Sequence, residues 1–232
     1  MNTTLAADRA EILRTAHLLM GPGEVYELRA LKVPRHRTVS GYFDSPEQLA
    51  NAALEADRMG APAIYVTMNP VNPALRARAN GRLQSYAELT TSDGDIVRRK
   101  WLLIDCDPKR PSGISSTDDE HERAISTACG IWDDLRGQFG DPVVCDSGNG
   151  AHLLYPIDLP NTPESTELIK RLLVNVAKYS APDDIDVDLT VFNAARITKL
   201  YGTVTRKGDS TPDRPHRLSR ILEIPRYLER AA

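Results

Sequence analysis

The sequence predicts an α/β fold, and three observations predict it. Short apolar runs bounded by turn residues recur along the chain. Stretches with apolar residues at helical spacing stand between them, and capping signals mark where those stretches begin. At 232 residues the chain has length for one large domain or two small, intimately joined lobes around a real core.

Residues 5–20 carry Leu5, Ile12, Leu13, Ala16, Leu19 and Met20 at helical spacing, and Gly21-Pro22-Gly23 stops that helix. Residues 25–33 and 39–43 alternate as two strands. Ser45-Pro46-Glu47-Gln48 reads as a capping box with proline at the first helical position. Its helix buries Leu49, Ala52, Ala53, Ala56 and Met59, and Gly60 ends it. Ala63-Ile64-Tyr65-Val66-Thr67-Met68 predicts a buried strand. Asn69-Pro70-Val71-Asn72-Pro73 is then expected to launch an exposed loop that leads to Arg76, Arg78 and Arg82.

Trp101-Leu102-Leu103-Ile104-Asp105-Cys106-Asp107 predicts the central strand, and Pro108 closes it. A capping box at Thr117-Asp118-Asp119-Glu120 opens a helix expected to run to about Phe139, with Ala124, Ala128, Ile131 and Leu135 inward. Residues 142–145 and 151–155 predict strands either side of a glycine turn. Thr162-Pro163-Glu164 caps a helix through about Tyr179, and residues 185–191 form a last acidic strand. Residues 196–220 concentrate seven Lys or Arg against two Asp.

The apolar fraction of 41% and charged fraction of 26% are those of an ordinary soluble protein. No run is long and apolar enough for a membrane span, so no membrane partner is expected. Cys106, Cys129 and Cys145 are scattered and odd in number, which argues for a reducing cytoplasm and against a structural zinc site. A net charge of −3 does not announce a nucleic-acid binder, but the basic C-terminal third shows strong local segregation.

Three motifs carry chemistry. In a strand, Asp105 and Asp107 share one face while Cys106 points into the other layer. Paired carboxylates on the rim of an α/β sheet suit Mg²⁺ or Mn²⁺, and they equally suit a strand end that caps the next loop. In Asp146-Ser147-Gly148-Asn149-Gly150-Ala151-His152, two glycines let backbone N–H groups converge into an anion nest within reach of His152. A plain glycine hairpin with a satisfied histidine is the alternative. Third, Asp186-Val187-Asp188 alternates acids with apolar residues, and Asp188 is the better candidate for a third ligand. Arg196, Lys199, Arg206 and Lys207 follow. Carboxylates for metal, a nest for phosphate and cations behind it are what nucleotidyl transfer requires.

Together these residues resemble the archaeo-eukaryotic primase superfamily, specifically its phage- and plasmid-type primase-polymerases. The family's apolar-Asp-x-Asp strand is similar to Leu103-Ile104-Asp105-Cys106-Asp107. Its Ser-x-His strand is similar to the longer Ser147-Gly148-Asn149-Gly150-Ala151-His152, a form shared with the superfamily's end-joining polymerases. Its apolar-Asp strand is similar to Val187-Asp188, followed by Asn193-Ala194-Ala195-Arg196-Ile197 and Tyr201-Gly202-Thr203. Further likeness lies in Gly41-Tyr42-Phe43, residues 65–73 and Arg214-Pro215-His216-Arg217.

The resemblance implies two intimately joined lobes with a mixed sheet, the second lobe RRM-like. It implies that residues 1–232 form a catalytic domain, expected to be the N-terminal part of a larger replication protein with a helicase module to follow. Asp105, Asp107 and Asp188 would be catalytic and hold two Mg²⁺ or Mn²⁺ ions. Ser147, Gly148, Asn149, Gly150 and His152 would bind the nucleoside triphosphate, supported by Arg196, Lys199 and Lys207. Arg76, Arg78, Arg206 and Arg217 are the candidates for contact with single-stranded DNA template and primer, a solvated basic face being the other reading of residues 76–82; for Arg206, Lys207, His216 and Arg217 triphosphate and template phosphate are both open. The expected activity is template-dependent nucleotidyl transfer. Rival readings are an end-joining polymerase, a metal-dependent nuclease and a non-catalytic single-strand-binding module, for which an aromatic content of 6% is thin.

Overall fold

The computed structural model describes residues 5–229. The first helix, α1 (Arg9–Leu19), is capped by Asp8, whose carboxylate accepts from the N–H groups of Ala10 and Glu11. That cap displaces the expected start, so Leu5 lies outside the helix and is 43% exposed. A hairpin follows, β1 (Tyr26–Val33) and β2 (Arg37–Phe43). Then comes α2 (Pro46–Arg58), with Ser45 accepting from the Gln48 N–H and Gly60 at φ +80° just past its end. Strand β3 (Ile64–Thr67) runs between β1 and β8 (Ile197–Lys199), giving a first sheet of order β2-β1-β3-β8.

The loop after β3 departs from expectation. Asn69, Pro70 and Val71 are buried rather than exposed. The Asn69 amide oxygen accepts from the Lys100 N–H at 2.7 Å and the Trp101 N–H at 3.3 Å, and its Nδ2 donates to the Ala194 carbonyl at 2.9 Å. The side chain thus ties the first sheet to the second where a turn signal alone suggests a surface.

The second lobe is built from β4 (Arg99–Pro108), α3 (Asp118–Leu135), β5 (Val143–Asp146), β6 (Ala151–Leu159), α4 (Pro163–Tyr179) and β7 (Ile185–Val187). After a small two-stranded ladder of β9 (Val204–Thr205) and β10 (Arg217–Leu218), β11 (Arg220–Glu223) adds to one edge of this lobe's sheet, giving the order β11-β5-β6-β4-β7. Without β11 this is the βαββαβ arrangement of an RRM-like lobe, as expected. Helix α3 stops at Leu135 rather than near Phe139, and the last acidic strand ends at Val187 because Asp188 turns back onto the Thr190 N–H. The two-lobed α/β architecture holds, but every ladder between named strands is antiparallel, so the expected mixed sheet is absent among the described residues.

The lobes share one apolar core, which runs from Ile12, Leu28 and Ile64 to Ile104, Leu153 and Leu173. Crossing contacts reinforce it: the Glu11 carboxylate accepts from the Ile221 N–H at 2.6 Å, and Arg14 donates to the Ile221 carbonyl at 3.1 Å. No described helix is long and apolar enough to cross a membrane.

Candidate active site in the cleft between the lobes

A cleft of about 270 Å³ opens between the two sheets. Leu31, Ala63, Tyr65, Thr198 and Lys199 line it from the first lobe, Leu103, Asp105, Asp107 and His152 from the second, and Arg196 and Lys207 from the chain flanking β8. Strand alternation accounts for the second wall. Leu103, Asp105 and Asp107 face the cleft, while Ile104 and Cys106 are fully buried in the layer below.

Register brings the motifs together. Asp105 pairs with His152 across β4 and β6, and Cys106 pairs with Val187 across β4 and β7. Asp188 therefore sits beside Asp105, and its N–H donates to the Asp105 carbonyl at 3.0 Å. Its carboxylate, however, accepts from the Thr190 N–H at 2.7 Å. Among the described residues no three His, Cys, Asp or Glu side chains surround a common point. The convergent set is Asp105 and Asp107 alone. Two oxygen donors fit Mg²⁺, which typically uses one or two carboxylates and takes its other ligands from water and substrate phosphates.

His152 is buried, with Nδ1 2.7 Å from the Tyr201 hydroxyl and Nε2 3.3 Å from the Asp105 carboxylate. Burial by itself lowers the His152 pKa, but the Asp105 charge outweighs it and the net shift is upward. Burial likewise raises Asp105, and the charge and hydrogen bond of His152, helped by Lys207 and Arg196, carry it below the usual carboxylate range. Asp107 goes the other way. Enclosure and then the Asp105 charge push it up, against the pull of Lys207 and Arg110. The Arg110 guanidinium, 3.5 Å away, is a cation the sequence reading missed, and an Asp-x-x-Arg spacing was its only signal.

The glycine turn differs from the expected nest. The Ser147 N–H donates to the Gly150 carbonyl, the Gly148 N–H to the Asp146 carboxylate and the Gly150 N–H to the Ser147 hydroxyl. These amides are occupied within the turn. Gly150 is needed for closeness instead: a Cβ there would run into the Cys106 carbonyl and stand 2.9 Å from the Asp107 carboxylate. Asn149 is the residue left with something to offer. Its oxygen accepts from the Ser116 N–H at 2.9 Å, while its buried Nδ2 has no partner. His152 has both ring nitrogens engaged, so in this arrangement it orients Asp105 rather than presenting a free donor to phosphate.

The cations divide. Arg196 lines the cleft and is steadied by Asn193 and Thr190. Lys199 is buried and donates to the Val204 carbonyl at 3.0 Å; burial, with Arg206 and Lys207 adding to it against Asp57, brings its pKa down to about 7. Lys207 lies exposed at the mouth. The four arginines expected on DNA are engaged elsewhere in the fold. Arg76 pairs with Asp44, and Arg78 bonds the Tyr42 hydroxyl and the Thr90 carbonyl. Arg206 pairs with Asp57 at 2.8 Å and Arg217 with Asp118 at 2.6 Å. Arg214 similarly holds Glu120, and His216 the Gly208 carbonyl.

No family model matches the sequence, and no curated protein is similar enough to match. Solved structures do. The archaeo-eukaryotic primase domain of the cyanophage S-2L primase-polymerase superposes with a TM-score of 0.58 at 15% identity, over 94% of this chain and 91% of that one. The primase RepB' gives a TM-score of 0.51 at 14% identity, over 96% of this chain and 61% of its own length.

Proposed function

We propose that this chain, whose fold is of the archaeo-eukaryotic primase type, is the catalytic domain of a template-dependent nucleotidyltransferase, a primase-polymerase. One observation carries the reading: Asp105 and Asp107 share a face at the mouth of the interlobe cleft, opposite Arg196, Lys199 and Lys207. Carboxylates on one wall and cations on the other match a triphosphate that arrives with its divalent metal. The two structural neighbours, named as a primase-polymerase and a primase, point to the same chemistry.

In this reading Asp105 and Asp107 hold the metal, and Asp188 joins them if its carboxylate leaves the Thr190 N–H. The bound metal would supply charge stabilisation at the reacting phosphate and ease deprotonation of the attacking hydroxyl. The chain's own residues do the rest. His152, fixed by Tyr201, holds Asp105 ionised and oriented. Arg196, Lys199 and Lys207 neutralise the triphosphate, and the unpartnered Asn149 Nδ2 supplies a donor to it. A primer 3′-hydroxyl attacks the α-phosphorus and gives up its proton to solvent, the new P–O bond forms as the bond to the bridging oxygen of the β-phosphate breaks, and pyrophosphate leaves. These cations stabilise the charge that develops on it.

The test is a labelled primer-template incubated with Mn²⁺, with and without nucleoside triphosphates. Growth of the primer only when nucleotides are present is expected. Shortening would select a nuclease, and retardation without growth a binding module; either result overturns the proposal.

A further inference from the structure

Since the four arginines expected on DNA are used internally, the nucleic acid needs another cationic surface. The β1–β2 hairpin provides one. Residues 28–43 contain no Asp or Glu, and Lys32, Arg35 and Arg37 are all exposed at its tip. None of these three side chains has a hydrogen-bond or ion-pair partner among the described residues.

The backbone of the tip is unusual. Lys32, Arg35 and Arg37 have φ of +56°, +64° and +57°. In Val33-Pro34-Arg35-His36, closed by a 3.0 Å bond from the His36 N–H to the Val33 carbonyl, Arg35 holds the position where a turn with this φ pattern calls for glycine. Lys32 sits at the register slip between Ala30 and Val33. Positions that glycine would occupy without steric cost therefore carry cations.

The tip is also braced. The Tyr86 hydroxyl donates to the Arg35 carbonyl, the Tyr86 N–H to the His36 carbonyl at 2.9 Å, and His36 Nδ1 lies 2.8 Å from the Ser85 hydroxyl. Three unpaired charges are thus held on a fixed scaffold. Its base is Leu31, which lines the cleft beside Asp105 and Asp107.

We propose that this hairpin tip grips the phosphate backbone of the single-stranded template just outside the cleft. Arg35 lies four positions along the chain from Leu31, at most about 13 Å along a strand. At about 3.4 Å per nucleotide the grip falls within about four nucleotides of the reacting position. The proposal rests on the polymerase reading and adds the surface that holds the template.

The test compares wild type with K32Q/R35Q/R37Q, which breaks no side-chain bond and keeps non-glycine residues at the three positions. Binding of a labelled single strand is measured over a series of salt concentrations, alongside nucleotide affinity. Three lost phosphate contacts should reduce the slope of log K against log salt by about two, with nucleotide affinity unchanged. In primer extension, the variant should lose the advantage that wild type gains as the template overhang lengthens to about four nucleotides. R35G should melt at a higher temperature than wild type and lose about 0.7 of the slope. Wild-type slope and affinity in the triple variant, with wild type itself binding DNA, would overturn the hairpin's role while leaving the polymerase reading intact. Failure of wild type to bind or extend would overturn both.

Discussion

Glu27 in the first lobe is a buried acid and Asp107 in the second lines the open cleft with 40% of its side chain exposed, and the fold supplies the two with partners very differently. Glu27 is fully buried and receives Arg29 through two bonds, at 3.0 and 2.5 Å, the Ser40 hydroxyl at 2.6 Å and the Thr91 N–H at 3.0 Å. Burial alone would raise its pKa, yet these donors outweigh it and bring it down. Asp107 has Arg110 at 3.5 Å and the like charge of Asp105 beside it, and its pKa goes up. The first carboxylate is completed from within the chain and locks the loop carrying Thr91 onto β1 and β2. The second is left short of positive charge where the cleft opens, the condition of a group that awaits a cation from outside.

Breaking each site should therefore do opposite things. D105N or D107N should reduce primer extension at least ten-thousand-fold, about 5 kcal/mol; D107N should have a denaturation midpoint no lower than wild type because a repulsion has gone, whereas D105N also loses the partner of His152. Normal turnover in both variants would remove the metal assignment. E27Q should leave turnover per folded molecule unchanged but cost about 3–5 kcal/mol of stability by stranding Arg29, read from urea unfolding.

The signs with pH differ as well. The folded Glu27 pKa lies below the unfolded value, so its stabilisation is complete above about pH 4.3 and lost as pH falls through the folded pKa. Asp107 has a raised folded pKa, so its cost grows as pH rises from the unfolded value through the folded one. E27Q should flatten the acid limb of the stability curve, and D107N should remove the cost on the rising side.

Divalent metal sharpens the contrast further. Mn²⁺ at a hundred times its dissociation constant should stabilise wild type by about 2.7 kcal/mol, with no such gain in D105N/D107N and an undiminished gain in E27Q. H152A takes the cation away from Asp105, so the acid limb of the pH–rate profile should move to higher pH, with kcat/KM lowered by about 2 kcal/mol at neutral pH. The smallest effect belongs to Lys199. Its pKa of about 7 must rise when phosphate enters the cleft, so nucleotide binding near pH 7.5 should take up a fraction of a proton. Calorimetry in buffers of different ionisation enthalpy measures this, and K199M should abolish it.

Legibility in the sequence followed the range of the interactions. Asp105 and Asp107 were readable because strand period puts them on one face, and the hairpin that follows brings His152 across from Asp105. The RRM-like lobe rests on long apolar runs and capped helices, which announce themselves locally. Strand β8 is three residues long and has no period to read. The ion pairs of the arginines were not readable because their partners lie far away in the chain: Asp44 for Arg76, Asp57 for Arg206 and Asp118 for Arg217. A paired and a free arginine look alike in sequence. Asn69 was misplaced for the same reason, since only the folded chain shows it capping Lys100 and Trp101.

Strand β8 also sets a schedule. It completes the first sheet by pairing with β3, Tyr65 opposite Lys199 and Thr67 opposite Ile197, and β4 through β7 of the second lobe are translated in between. On a ribosome adding about 5–20 residues per second, the edge of β3 stays without its partner for on the order of ten seconds. Throughout that interval an apolar strand with open hydrogen-bonding groups is available to any other chain. Yield from heterologous synthesis should therefore respond to elongation rate and to chaperones that shield strand edges. Fragments that end before residue 197 should aggregate, while the full chain stays in solution.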